Sequence, residues 1–510
     1  MMTGRLVSGR RERSRHELEL NAARAAAALA SAGVRPGDAV ALMLRNDFPF
    51  IEASLAVRML GAYPVPINWH AATDEVGYIL RDCAAKLLLI HADLLPGVRA
   101  GIAQGVPVYA VTTPPEIAAA YGIEPSRCAV PPGEKEWAQW IAGFEPQPLG
   151  EIPMPSSMIY TSGTTGRPKG VLRKPRTPEE DAIGRSTIAT MLGMTGPLTT
   201  VICGPMYHSA PNAYALVATM IGGVVILQPR FDAEELLRLI DAYRVTHLQM
   251  VPTMFVRLLK LPREVRKRYD VSSIQWVIHG AAPCPTEVKR QMIAWWGPVI
   301  HEFYGATEMG TVSFCTAEEW LAHPGTVGKA APHAVIKILD AEGKELPPGE
   351  TGEVYSFFAG MGDFTYVGDE QQRRAVERDG LITCGDIGFL DADGYLYLCD
   401  RKRDMVISGG VNIYPAEIEA ELLQHDHIAD CAVFGIPDEE FGERLCAFIQ
   451  PLPGAALDAA EVQRFLRRHL AAYKIPKVIE FRDELPREDS GKILKRKLRA
   501  PYWEHTGRQI

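Results

Sequence analysis

The chain has 510 residues, 47% of them hydrophobic, so it can bury large cores, and its length suggests about two to four domains. Its 54 basic residues against 62 acidic ones give a net charge of −8, which argues against nucleic-acid binding, since that needs a basic surface. Nine cysteines without a C-x-x-C pair imply no structural zinc and read as reduced, mostly buried thiols of a cytoplasmic protein.

The basic N-terminus, MMTGRLVSGRRERSRHE, lacks the apolar region of a secretory signal. Ser14 with Glu17 forms a capping box that opens an Ala-rich helix ending at Gly33. Pro36-Gly37-Asp38 is a turn, and Ala39–Leu44 reads as a buried strand. A helix follows from about Phe48 to Gly61, a strand lies near Val65, Thr73–Asp82 is helical, and Lys86–Ile90 is a strand. This alternation implies mostly parallel sheets covered by helices. Ile152–Ile159 reads as a strand end before the loop described below, and strands resume near Val201, Val224–Leu227, Thr246–Val251 and Trp276–His279. Tyr214–Leu227 is too short and too Gly-rich to span a bilayer, no run of about 18 apolar residues occurs, and a soluble protein without a transmembrane segment is expected.

From Ala334 the texture changes. Ala334–Leu339, Gly352–Phe358, Leu381–Thr383 and Tyr395–Leu398 are short strands between Gly/Asp/Pro turns, which suggests a small antiparallel unit. After Asp400 a compact α/β region follows. Its helices are Pro415–Gln424 and Asp458–Leu470, the second opened by Asp458 with Glu461. Its strands are Ile428–Phe434, Cys446–Gln450 and Val478–Phe481.

Tyr160–Gly170 reads YTSGTTGRPKG, eleven residues with three glycines, three threonines, a serine and two cations. No core segment needs that mixture. Gly163 and Gly166 let the backbone bend tightly, and successive N–H groups in such a bend form an anion-binding concavity. Thr161, Ser162, Thr164 and Thr165 add hydroxyls, and Lys169 adds a fixed charge, so the stretch reads as a phosphate cradle. The P-loop of NTPases, G-x-x-x-x-G-K-S/T, fails on spacing: Pro168 stands where its second glycine belongs, and Gly170 follows Lys169.

Six further stretches stand out. MYHSAPN carries His208. GAAPCP begins at Gly280 and places Ala281 and Ala282 where small residues leave room for a flat ring. EFYGATEMG offers Tyr304 as an aromatic face, Gly305, Thr307 as a hydroxyl and Glu308 as a hard oxygen ligand for Mg2+. TCGDIG holds Asp386 after a turn. DRKRDMVISGGVNIYP holds Arg401, Arg403, Gly409 and Gly410, and PREDSGK ends at Lys492. By itself, Asp386 reads equally as a turn-forming carboxylate, His208 as a packed histidine and Lys492 as a solvated cation in a basic tail.

In order and spacing these motifs resemble those of the adenylate-forming superfamily of acyl-CoA synthetases, peptide-synthetase adenylation domains and luciferases, from about Ser14 to Arg499. The resemblance implies an α/β fold. A large N-terminal domain of mostly parallel sheets flanked by helices, plus a small β unit, would span 1–402. A small mobile C-terminal α/β domain would span 403–510. It also implies two reactions: carboxylate + ATP → acyl-AMP + pyrophosphate, then acyl-AMP + thiol → thioester + AMP, with Mg2+ and coenzyme A. Thr161–Gly166 and Lys169 would hold phosphates, Gly280–Ala282 with Tyr304 and Gly305 the adenine, Asp386 and Arg401 the ribose, and Glu308 the metal beside Thr307. His208 would gate the acyl pocket. Lys492 would bridge the carboxylate and α-phosphate, and Gly409–Gly410 would line the thiol tunnel after rotation about Arg403. Cys384 stands where relatives usually carry Thr or Gly, Arg403 where many carry Asp or Lys, and fewer residues than usual precede the first helix. His208, Asn212, Tyr214, Trp276, His279 and Met309 are the expected acyl-pocket residues, so an apolar acid is implied: fatty, aromatic or bile-acid-like. A carrier protein in place of coenzyme A, or a silent nucleotide sensor, are the alternative readings.

Overall fold

A computed structural model describes residues 4–146, 155–161, 167–487 and 493–504. The Ala-rich helix runs Arg15–Ser31, with the Ser14–Glu17 capping box formed in both directions. Ala39–Met43, Phe48–Met59, Thr73–Asp82, Val224–Leu227 and Trp276–His279 follow the sequence reading closely.

Nine strands form the largest sheet. Its order is Lys329–Ala330, Gly310–Cys315, Ile300–Ala306, Trp276–His279, His247–Met250, Thr199–Ile202, Val224–Leu227, Arg5–Ser8 and Arg11–Ser14. Pairing is parallel from Ile300–Ala306 through to Arg5–Ser8 and antiparallel at both ends. A second, wholly parallel sheet carries Tyr63–Pro66 at its edge, where Pro64 and Pro66 cost no ladder bonds. The two sheets share one apolar core with Arg15–Ser31, Phe48–Met59 and Ser209–Ile221 between them. Tyr160–Gly170 spans a hairpin: Ile159–Thr161 pairs with Lys169–Arg173, and Phe364–Tyr366 adds a third strand.

The antiparallel unit forms as expected from Ala334–Leu339, Gly352–Phe358, Glu377–Arg378, Leu381–Leu390 and Leu396–Arg401. One reading changes here. Asp386 was expected after a turn, but TCGDIG lies inside the long strand Leu381–Leu390, whose register slips at Ile387/Gly388. A glycine-containing bulge reads from sequence like a turn. The compact C-terminal region is a five-stranded sheet covered by Pro415–Leu422 and Ala459–Leu466. The tail after Ile493, read as merely basic, is the helix Lys495–Trp503, and Trp503 Nε1 donates to the Gly435 carbonyl at 3.1 Å.

The strands Arg5–Ser8 and Arg11–Ser14 were not foreseen; the first helix was expected to be the first element. They are tied down by buried charge. Arg11 donates to Asp47 at 2.6 Å and to Glu116 at 2.7 Å, and Asp47 Oδ2 lies 3.3 Å from His91 Nε2. Burial alone would raise the Asp47 carboxyl, but His91 and Arg11 outweigh it and hold the group below its ordinary value. A depressed folded-state value means a contribution that is complete above the ordinary carboxyl range and lost as pH falls through the depressed one. Asp47→Asn should therefore lower stability by about 2 kcal/mol at neutral pH. Urea unfolding should show that deficit shrinking below about pH 4; a deficit constant with pH would contradict the assignment.

Candidate functional site

The C-terminal ends of the parallel strands Thr199–Ile202, His247–Met250 and Trp276–His279 open onto one cleft of about 1290 Å³. This is where open parallel sheets place ligands. Its lining includes Thr161, Lys169, His208, Ala281, Ala282, Gly305, Thr307, Glu308, Cys384 and Arg401.

Tyr304–Gly310 is a strand-turn-strand rather than a loop. Ile300–Ala306 turns at Thr307–Met309 into Gly310–Cys315. Gly305 is required there, because a Cβ would stand 2.1 Å from the Gly310 carbonyl oxygen. The turn presents Glu308 to the cleft. Tyr366 OH donates to its carboxylate at 3.2 Å and Thr161 Oγ1 at 3.5 Å, while Thr307 Oγ1 lies 3.2 Å from Ser209 Oγ. Behind the turn, one Arg173 amino group donates to the Thr307 carbonyl at 2.6 Å and the Glu308 carbonyl at 2.8 Å, and the other to Gly362 at 2.8 Å. Burial pulls the Arg173 guanidinium down to about 10, so it remains charged at neutral pH. Arg173 and Tyr366 escaped the sequence reading. A cation inside KGVLR was the available signal for Arg173; Tyr366 comes from a remote strand and left none.

Tyr304 was expected to offer its ring, yet it is 8% exposed and its hydroxyl donates to Asp386 Oδ2 at 2.7 Å. Burial and the Asp386 carboxylate push that hydroxyl well above its ordinary range, so it stays a donor. Asp386 Oδ1 lies 3.4 Å from Arg401 Nε, its partner in strand register. Tyr304 therefore orients the carboxylate between itself and Arg401.

Lys169 faces Thr161 across the hairpin, with its ammonium 5.4 Å from the Tyr366 ring centre and 4.0 Å from Asp369. Ser162, Gly163, Thr164, Thr165 and Gly166 lie outside the described residues, as does Lys492. Gly280 closes against Phe303, whose ring would lie 2.7 Å from a Cβ, and Ala281 takes φ +69, a strained value that holds the turn into the cleft. His208 precedes Ser209–Ile221 with its ring 4.4 Å from that of Tyr207. Gly409 and Gly410 form the turn between Val406–Ser408 and Val411–Ile413 and do not line the cleft.

Of the six side chains expected around the acid, only His208 lines the cleft. Asn212 donates to the Met206 carbonyl at 2.9 Å, Tyr214 OH lies 3.1 Å from Thr200 Oγ1, and Trp276 donates to Met191 at 3.0 Å. His279 and Met309 are buried. Asn212 and Tyr214 sit on the inner face of the helix Ser209–Ile221, Trp276 and His279 on opposite faces of one strand and Met309 in a turn, and all five pack behind the pocket.

Hydroxyl and carboxylate oxygens at Glu308 and Thr161 form a hard donor set of the kind Mg2+ prefers, with a fixed cation, Lys169, nearby for phosphate. A carboxylate oriented by Tyr304 and flanked by Arg401 suits a diol.

A profile of AMP-binding enzymes matches residues 4–361, and one of the AMP-binding enzyme C-terminal domain matches residues 417–492. The chain is 32% identical over 492 residues to feruloyl-CoA synthase of Amycolatopsis sp, covering 95% of this chain and 93% of that protein. It is 31% identical over 505 residues to the fatty acid–acyl-carrier-protein ligase ScoC of Streptomyces coeruleorubidus, covering 97% of this chain and 92% of that one. ATP-bound MatB from Rhodopseudomonas palustris superposes with a TM-score of 0.83 at 28% identity, covering 99% of this chain and 97% of that one, and apo MatB, with the same coverage, gives 0.72.

Proposed function

Because this chain belongs to the AMP-binding enzyme family, we propose that it is an AMP-forming carboxylate–CoA ligase acting on an apolar acid, aromatic or fatty. It joins a carboxylate to ATP, releasing pyrophosphate, and then passes the acyl group from acyl-AMP to coenzyme A, releasing AMP. The observation that carries this reading is the gathering of Glu308, Thr161, Lys169 and Arg401 around one cleft, with the Tyr304–Asp386 pair directly behind Arg401.

Glu308 would hold Mg2+, which neutralises charge on the triphosphate when bound. Arg173 fixes the turn that presents Glu308, so the carboxylate is placed before ATP arrives. Asp386 accepts from the ribose hydroxyls, with Arg401 beside it. Ala281 and Ala282 border the adenine and acid, and His208 gates the acid's entry. Lys492 supplies the cation between carboxylate and α-phosphate.

Residues 1–402 and 403–510 act as two bodies that rotate about Arg403. The higher similarity to ATP-bound than to apo MatB supports a small domain standing in the orientation that precedes adenylation. The position of Gly409–Gly410 outside the cleft fits that orientation. Rotation would bring their turn inward for the thiol step.

All nine cysteines are free, which fits a reducing cytoplasm. Among the described residues no helix is long and apolar enough to cross a membrane. The similarity to ScoC keeps a carrier protein as the second acceptor reading.

Purified protein with ATP, Mg2+, coenzyme A and a panel of fatty, cinnamic, benzoic and bile acids, analysed by mass spectrometry, tests the proposal. Acyl-CoA with AMP supports it. Acyl-AMP without thioester favours the carrier protein, and no adenylate from any acid refutes the ligase reading.

A further inference from the structure

The strand His247–Met250 is buried along its whole length and ends at the cleft. Leu248 and Met250 face the core beneath Ala233–Tyr243 and Thr286–Trp296. Strand alternation sends Gln249 to the opposite face, toward Ser209–Ile221. On that side its register partner is Ile278, and Ile202 and Ala215 belong to the same apolar cluster, while His247 and Thr200 lie further from the cleft. Gln249 is 5% exposed. A primary amide costs free energy in such a place unless both ends are satisfied.

Only one end is. Its Nε2 donates to the Met250 carbonyl at 3.1 Å, and its Oε1 accepts no hydrogen bond among the described residues. Gly204 stands beside it, with a hypothetical Cβ 3.8 Å from Oε1, so no side chain covers the oxygen there. Gln249 lines the cleft together with Tyr207, Pro211, Thr253 and Met254. The Tyr207 ring is itself braced edge-on by Trp69 at 4.6 Å, which makes a rigid aromatic wall. Flat apolar walls and one uncovered acceptor describe the complement of a ring that bears a donor.

Resting on the ligase reading, we infer that Gln249 sets the substrate class of the acyl pocket and selects an aromatic acid bearing a hydroxyl or amino group on its ring. The ring packs between Tyr207 and Met254, and the substituent donates to Gln249 Oε1. An acid without the donor leaves the buried amide unpaired when it displaces water, and that loss is the basis of discrimination. A saturated chain offers neither the stacking face nor the donor.

The test uses matched acids of equal length, ring-hydroxylated and unsubstituted, plus a saturated acid of similar size, with pyrophosphate release as the readout. The hydroxylated acid should exceed its unsubstituted partner in kcat/KM by at least about tenfold, mostly through KM. Gln249→Leu should bring that ratio close to one, because it penalises the hydroxylated acid far more than the other. A wild-type ratio near one, or equal losses for both acids in the variant, would overturn the inference. Turnover of the saturated acid alone would overturn it while leaving the ligase reading standing. No adenylate from any acid would remove the ligase reading and this inference with it.

Discussion

Glu308→Ala is expected to slow adenylation by about three orders of magnitude, the scale at which losing one preorganised electrostatic group acts in such sites. The fold should survive it. The turn that carries Glu308 is held by strand pairing between Ile300–Ala306 and Gly310–Cys315, and by Arg173 at the Thr307 and Glu308 carbonyls. None of these bonds involves the Glu308 side chain. What the variant loses is the acceptor for the Tyr366 and Thr161 hydroxyls and for the weak Cys384 thiol donor. Both hydroxyls line the cleft and can turn to water, so the stability deficit should stay near 1 kcal/mol. Exchange of labelled pyrophosphate into ATP, measured across a Mg2+ series, separates the two effects. The variant should show a collapsed rate and a raised Mg2+ requirement, with a melting temperature only a few degrees lower. An unchanged Mg2+ dependence would rule Glu308 out as the metal ligand.

The same turn shows what sequence could and could not reveal. Glu308 was legible because order and interval within EFYGATEMG carry the chemistry. Arg173 was not, because its work is done on backbone carbonyls of a segment far along the chain, and no local pattern encodes that contact. Helices with caps were readable for the opposite reason: Ser14 and Glu17 settle the start of Arg15–Ser31 between themselves. Arg5–Ser8 and Arg11–Ser14 failed the local test. They are rich in arginine and serine, and the first finds its parallel partner only in Val224–Leu227. Asp386 was assigned to a turn because Gly385 and Gly388 flank it, yet strand pairing with Arg401 overrides that local preference. Gln249 fell inside the expected strand Thr246–Val251 and drew no functional reading, since a single polar residue in a strand does not say what its side chain meets.

Lys492→Ala should separate the two half-reactions. Sequence alone offers several lysines in the basic tail, and the structure removes one of them. Lys495 lies 2.8 Å from Glu419 in a buried pair beside Asp400, so its charge is already committed to holding the helix Lys495–Trp503 on the small domain. Breaking such a pair is costly to folding, and Lys495 cannot swing to a substrate without breaking it. Arg496 reaches the cleft, and Arg487 and Ile493 bridge one another on either side of the segment that contains Lys492. In the proposed reaction the Lys492 cation would act where negative charge develops as the carboxylate attacks the α-phosphate. On the proposed cycle it has no task once acyl-AMP exists, because the thiol would attack a carbonyl after the small domain has turned away. The variant should therefore lose about three orders of magnitude in pyrophosphate exchange, yet convert supplied acyl-AMP and coenzyme A to thioester within a few-fold of the wild-type rate. Equal losses in both assays would sink the assignment, since a cation used in both steps could not be withdrawn by rotation.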